Sequence, residues 1–236
     1  MPQVLRDTYR CILCNHIYRQ FKGNIVEYHV NSFRNRKSAR RDVSEIDESG
    51  NVTELFHLKR KEIVFERMNY VRHLLKDDYE CLDIGAGAGT FARPLSEEVG
   101  SVECTELSDC LLRECERLGF KTYGEDFLTL NLSQKYDIVF AWHVLEHIED
   151  VRSFVKKLKE ISRKYVVIEV PLLVALDGQG RRRTLKEPNL GNFDGHAHYF
   201  SEESFRYLFE DHFKILKIKE GVQAPALYAE LEVLGD

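Results

Sequence analysis

Apolar residues recur at Val64, Met68, Val71 and Leu75, a spacing that places them on one face of a helix beginning near residue 54. The polar stretch 76–78 ends that helix, and the apolar run 79–84 reads as a buried strand. A glycine-rich turn follows at once. Helix spacing resumes over 91–98, with Pro94 tolerated in the first turn. Residues 101–106 read as a second strand, and Ser108 as the N-cap of a helix running to about Leu118. Residues 121–123 and 136–142 give a third and a fourth strand; YDIVFAW is the clearest strand in the chain. Val151, Phe154, Val155 and Leu158 mark an amphipathic helix. A fifth strand spans 165–170 and stops at Pro171. The segment 174–197 is polar with little periodicity. Ser201 then caps a helix with Phe205, Leu208 and Phe209 inward, and 213–218 and 226–233 close the chain as strands.

Strands alternating with helices predict a mostly parallel sheet covered on both faces. In such sheets ligands bind outside the carboxyl ends of the strands, near the switch in strand order. The glycine turn follows the first strand of the pattern, so it belongs there. The chain has 236 residues, enough for one large domain or one domain with an appendage. Hydrophobic residues make up 43%, too many for a disordered chain, yet no apolar run is long enough to cross a bilayer. A net charge of −5 argues against nonspecific nucleic-acid binding by the whole chain. The N-terminus lacks the apolar core of a secretory signal, and six cysteines without framework spacing read as free thiols of a cytoplasmic protein.

Residues 82–91 read LDIGAGAGTF. Glycine at 85, 87 and 89 lets backbone approach a ligand closely, and Asp83 precedes it. Glu106 ends the second strand, where an acid can accept from both ribose hydroxyls. Asp126 follows the third strand, where a carboxylate can accept from an adenine amino group while Phe127 packs on the base. No basic residue lies within 85–90 to hold a phosphate. These residues suggest a phosphate-free adenosine ligand carrying a cation near Asp83. Gly89 serves either that ligand or helix packing, and Phe127 either the base or the core.

LDIGAGAG, ECTELS (103–108), GEDF (124–127) and YDIVFAWHVLEHIED (136–150) stand in the order and at the spacing of the motifs of class I S-adenosylmethionine-dependent methyltransferases, which this chain resembles over residues 55–236. The resemblance implies a Rossmann-like α/β fold: a doubly wound seven-stranded sheet with a C-terminal antiparallel hairpin. It implies a domain over 54–236, with an acceptor-covering insertion at about 171–200, preceded by an extension or cap over 1–53. It places Asp83, Gly85 and Gly87 along the methionine part of the donor, Glu106 on the ribose, Asp126 and Phe127 on the adenine, and Trp142 and His143 facing the sulfonium. S-adenosylhomocysteine would be the product. The LEH triplet with the downstream H-x-F-S pattern resembles the small-molecule subgroup that includes ubiquinone-biosynthesis and sugar methyltransferases.

His143, Glu146 and His147 stand at i, i+3 and i+4, and share a face if the segment turns helically. His196 and His198 come later, just before the Ser201 helix. His143, His147 or His198 could act as a general base on an acceptor hydroxyl. His143, Glu146, His147 and His198 could alternatively hold a divalent metal. Small-RNA 2′-O-methyltransferases use a similar E-x-x-E-H pattern for a cation, but here His143 replaces the first glutamate. Cys11 and Cys14, with His16 and His29, form an irregular zinc candidate set. Arginines 181–183 with Lys186, and the basic run 34–41, suit an anionic acceptor. The first expectation is methyl transfer to a small polar acceptor, a sugar, nucleotide sugar or other metabolite, through oxygen. Metal-assisted RNA 2′-O-methylation and a noncatalytic donor-binding module that regulates a partner are the alternatives.

Overall fold

The computed structural model describes residues 6–10, 17–21, 45–47, 49–172, 174–176, 182–184, 196–221 and 226–235. Strands β1 (Arg6–Arg10) and β2 (Ile17–Phe21) form an antiparallel hairpin. Helices α1 (Glu54–Leu58) and α2 (Lys61–Val71) follow, where one helix was expected. The break has a local cause. Arg60 lies with its guanidinium 3.5 Å from the Phe56 ring centre and donates to the Phe56 carbonyl at 2.7 Å, satisfying an acceptor that a continued helix would use. Helix α2 buries Met68 and Val71, as its apolar spacing requires.

The central layer then forms in sequence: β3 (Glu80–Ile84), the one-turn α3 (Ala92–Leu95), β4 (Ser101–Thr105), α4 (Asp109–Arg117), β5 (Lys121–Tyr123), β6 (Tyr136–Trp142), α5 (Val151–Ile161) and β7 (Ser162–Pro171). Helix α3 is shorter than the expected 91–98. Beyond Leu95 the amides of Glu97 and Glu98 bond three residues back, to Pro94 and Leu95, so the helix tightens into turns. Strand β7 starts directly after α5, three residues before the apolar run. Asp150 caps α5 by accepting from the Ser153 amide at 3.0 Å.

After β7 come two three-residue strands, β8 (Val174–Leu176) and β9 (Arg182–Thr184), paired with each other. Strand β10 (His198–Tyr199) pairs with β2. Helix α6 (Glu202–Phe209) carries the expected Ser201 cap, here a reciprocal box with Ser204. Strands β11 (Phe213–Glu220) and β12 (Ala226–Val233) end the chain.

Seven strands make one sheet in the order β11-β12-β7-β6-β3-β4-β5, parallel except at β12, which runs antiparallel to both β7 and β11. This is the doubly wound sheet with a C-terminal hairpin that the motifs imply. Strand order reverses between β3 and β6, so their carboxyl ends open on one crevice. Two apolar layers cover the sheet, one built on Phe154, Phe205 and Phe209, the other on Met68, Val71, Phe91 and Phe140. Strand β6 is buried along its whole length. At the free edge, β11 exposes Lys214, Lys217 and Lys219, charges that discourage edge pairing. Cys81, Cys104, Cys110 and Cys115 are free thiols, and among the described residues no helix is long and apolar enough to cross a membrane.

Candidate active site

The crevice at the reversal holds a cavity of about 590 Å³, lined by residues that include Gly85, Gly87, Glu106, Asp126, Phe127, Trp142, His143 and His147. One wall is the glycine turn. Gly85 donates to Thr105 Oγ1 at 3.2 Å, Ala86 to the Thr105 carbonyl at 2.9 Å, and Gly87 to Glu106 Oε2 at 2.9 Å. Gly87 has φ +60°, and a Cβ built there meets no atom within 4 Å, so it faces open space. That is the signature of backbone kept bare for a ligand. At Gly89 a Cβ would meet Cys115, Leu118 and Phe120 at 3.3–3.4 Å, so packing explains that glycine.

Glu106 is buried and anchored at both oxygens, with Oε1 accepting from the Ser108 amide at 2.7 Å. Ser108 stands at the N-cap of α4 as expected, but its hydroxyl lies against Cys110 Sγ and makes no cap bond. Asp126 turns the loop after β5 by accepting from the Leu128 amide at 2.9 Å. Phe127 is both core and wall, 4% exposed and set edge-on to Phe154.

Asp83 is 1% exposed, and neither carboxylate oxygen has a hydrogen-bond partner in the protein. Burial pushes its pKa up to about 7; Glu106 adds to the rise and Arg67 opposes it. Asp83 borders a smaller cavity of about 140 Å³ between α2 and the glycine turn, lined also by Arg60, Arg67 and Trp142. A buried carboxylate without partners fits a cationic ligand group, since only a donor brought from outside satisfies it.

Past the end of β6 the chain turns sharply. His143 has φ +56°, and among the described residues it is the non-glycine with positive φ. This turn aims its ring between two acids: Nδ1 lies 3.0 Å from Glu146 Oε1 and Nε2 3.1 Å from Glu169 Oε1. Those carboxylates outweigh the cost of burial and push the His143 pKa up to about 9. Glu169, wholly buried on β7, also takes Arg67 at 2.6 Å, and these two cations hold its carboxyl below the usual range despite burial. Leu145–His147 forms a 3-10 turn. The Glu146 carbonyl accepts from the Ala197 amide at 2.7 Å, which brings His196 beside His147 with ring centres 4.9 Å apart.

A family model described as a methyltransferase domain matches residues 54–212, most of the chain. The chain belongs to this methyltransferase family. No curated protein matches it by sequence. Solved structures share the fold. The methyltransferase is similar to DhpI in complex with S-adenosylhomocysteine, at TM-score 0.63, 17% identity and coverage of 89% of this chain and 97% of that one. Against magnesium protoporphyrin IX methyltransferase from Synechocystis PCC 6803 with bound S-adenosylmethionine, the values are 0.61, 16%, 90% and 99%. Against the N-methyltransferase NodS from Bradyrhizobium japonicum with S-adenosylhomocysteine, they are 0.56, 15%, 87% and 99%.

Within the methyltransferase, Gly85, Gly87, Glu106, Asp126, Phe127, Trp142 and His143 border one cavity, and Asp83 the smaller one beside it. The histidines divide differently from expectation. His143 has each ring nitrogen facing a carboxylate, and those acids push its pKa up to about 9. His198 is 8% exposed, its Nε2 donates to the Glu149 carbonyl at 3.2 Å, and burial lowers its pKa. His198 does not join the Glu146 cluster; among the described residues the potential ligand group is Glu146, His147 and His196. Cys11, Cys14, His16, His29, the basic run 34–41, Arg181 and Lys186 lie outside the described residues.

Sequence reasoning passed over Arg67 and Glu169. A lone acid in the apolar run 165–170 was the visible signal for Glu169. Arg67 follows Arg60 by seven residues, which is the same helix face. His196 was seen but ranked behind His198.

Proposed function

We propose that the chain transfers a methyl group from S-adenosylmethionine to a hydroxyl oxygen of a small polar acceptor, such as a sugar or nucleotide sugar. Asp83 carries this reading: a buried, unpartnered carboxylate beside a bare glycine turn fits the ammonium of a methionine moiety. Glu106, held rigid by two backbone amides, would accept from ribose hydroxyls. Asp126 and Phe127 would border the adenine. Trp142 ends β6 and His143 follows it on the cavity wall, where the sulfonium would lie. S-adenosylmethionine, when bound, supplies the electrophilic methyl group. The protein's part is to hold both partners at attack distance and to exclude water. Activation of the acceptor hydroxyl is assigned to the corner of Glu146 and His147, because His147 lines the cavity and each ring nitrogen of His143 faces a carboxylate.

The cavity lining favours a small acceptor over RNA. Its described charged side chains are Arg60 and His143 against the acids Glu106, Glu125, Asp126, Glu149 and Asp150, a balance that repels a polyanion. Residues 1–53 would act as a cap over the acceptor, since β2 pairs with β10 beside His196.

Calorimetry tests the reading. S-adenosylmethionine should bind, and Asp83→Asn and Glu106→Ala should each weaken binding by more than about tenfold. Equal binding by both variants would overturn it. Incubation with donor and a panel of hydroxylated acceptors, followed by S-adenosylhomocysteine release, then identifies the acceptor.

A further inference from the structure

The structure assigns a divalent-cation site to Glu146, His147 and His196, beside the cavity that His147 lines. One ligand atom from each of the three lies within 4.8 Å of the others. Ligands at about 2.1 Å from one cation stand roughly 3–4 Å apart, so the set needs only a small closure.

A second observation comes from Glu146 alone. Its side chain is fully buried, and its two oxygens differ. Oε1 faces the His143 ring at 3.0 Å, while Oε2 has no hydrogen-bond partner. Such an oxygen is costly unless something satisfies it. His147 Nε2 lies 4.0 Å from Glu146 Oε1, and the His196 ring meets the His147 ring edge to face. The His143 clamp fixes the Glu146 carboxyl, as a supporting hydrogen bond does for a metal-binding carboxylate. One carboxylate and two imidazoles suit zinc, manganese, iron(II) or cobalt better than magnesium or calcium, which prefer all-oxygen shells.

Three protein ligands leave coordination positions open. This step rests on the proposed methyl transfer. An acceptor hydroxyl on the cation loses its proton to bulk water more readily, and its oxygen becomes a better nucleophile. Acceptors with two adjacent hydroxyls, which chelate, are therefore the favoured class.

The test uses the full chain, stripped of metal with a chelator and titrated with cobalt(II). Visible absorption and calorimetry follow binding, and S-adenosylhomocysteine binding is measured on the same samples. One equivalent should bind, with nitrogen–oxygen d–d bands and no thiolate charge-transfer band. Glu146→Gln, His147→Ala and His196→Ala should each weaken cobalt binding more than about tenfold. His198→Ala and the double variant Cys11→Ser, Cys14→Ser should leave it unchanged. Retained S-adenosylhomocysteine binding by the three ligand variants shows that they are folded. Absence of cobalt binding, or binding lost in the double cysteine variant and kept in His196→Ala, overturns the site. If cobalt binds but S-adenosylhomocysteine does not, the site stands and the donor reading fails.

Discussion

Arg67 Nη2 lies 2.6 Å from Oε2 of Glu169, tying a helix ahead of the glycine turn to a strand 102 residues later. Glu169 carries His143 on its other oxygen, and His143 carries Glu146. Glu169→Ala takes this buried carboxylate away from two partly buried cations, Arg67 and His143. It should cost about 3 kcal/mol in urea unfolding. Arg67→Met with Glu169→Leu should cost less than the two single changes added. Loss below about 1 kcal/mol in Glu169→Ala would show that the pair is not structural.

Asp83 makes donor binding depend on pH. Its folded pKa of about 7 lies above the ordinary carboxylate value of roughly 3.9. Folding therefore favours the protonated acid, and stability of the donor-free protein falls as pH rises from about 4 to about 7. A cationic ligand needs the ionised acid, so donor affinity should climb nearly tenfold per unit below pH 7 and level off above it. Asp83→Asn should flatten both curves, raise melting temperature at pH 8 and weaken the donor. Calorimetry and thermal melts over pH 5.5–8 decide it.

Two glycines of one turn should respond in opposite ways to alanine. At Gly87 the added methyl enters the open cavity under a strained φ of +60°. Donor affinity should drop more than about tenfold, with a stability cost near 1 kcal/mol. At Gly89, also strained at φ +69°, the methyl presses on Cys115, Leu118 and Phe120. There the larger loss should be stability, about 1–3 kcal/mol. Parallel melts and donor titrations separate the two.

His198→Ala tests a structural histidine. It removes a buried ring stacked on Phe200 and a bond to the Glu149 carbonyl. Stability should fall by about 2 kcal/mol with donor affinity unchanged. A large drop in methyl transfer at full stability would instead return His198 to the chemistry.

The sheet was legible because buried parallel strands carry apolar runs, and the acids that end them mark the crevice. Asp83, Glu106 and Asp126 stood out for that reason. The acceptor side was harder. His196 and His198 are two residues apart and alternate identically, so only the start of β10 decides which one meets Glu146. The break between α1 and α2 depends on Arg60 folding back on Phe56, a choice no periodicity records. Strands β8, β9 and β10 have three, three and two residues, too few to show alternation.

The ladder between β2 and β10 pairs Tyr18 with His198 and Ile17 with Tyr199. About three-quarters of the 236-residue chain thus lies between two bonded partners. Such a contact closes a very long loop, and its entropy is repaid only after the intervening sheet has formed. The hairpin should therefore dock last in folding and open first under mild denaturant. The acceptor wall would be completed, and lost, on a separate clock from the donor pocket.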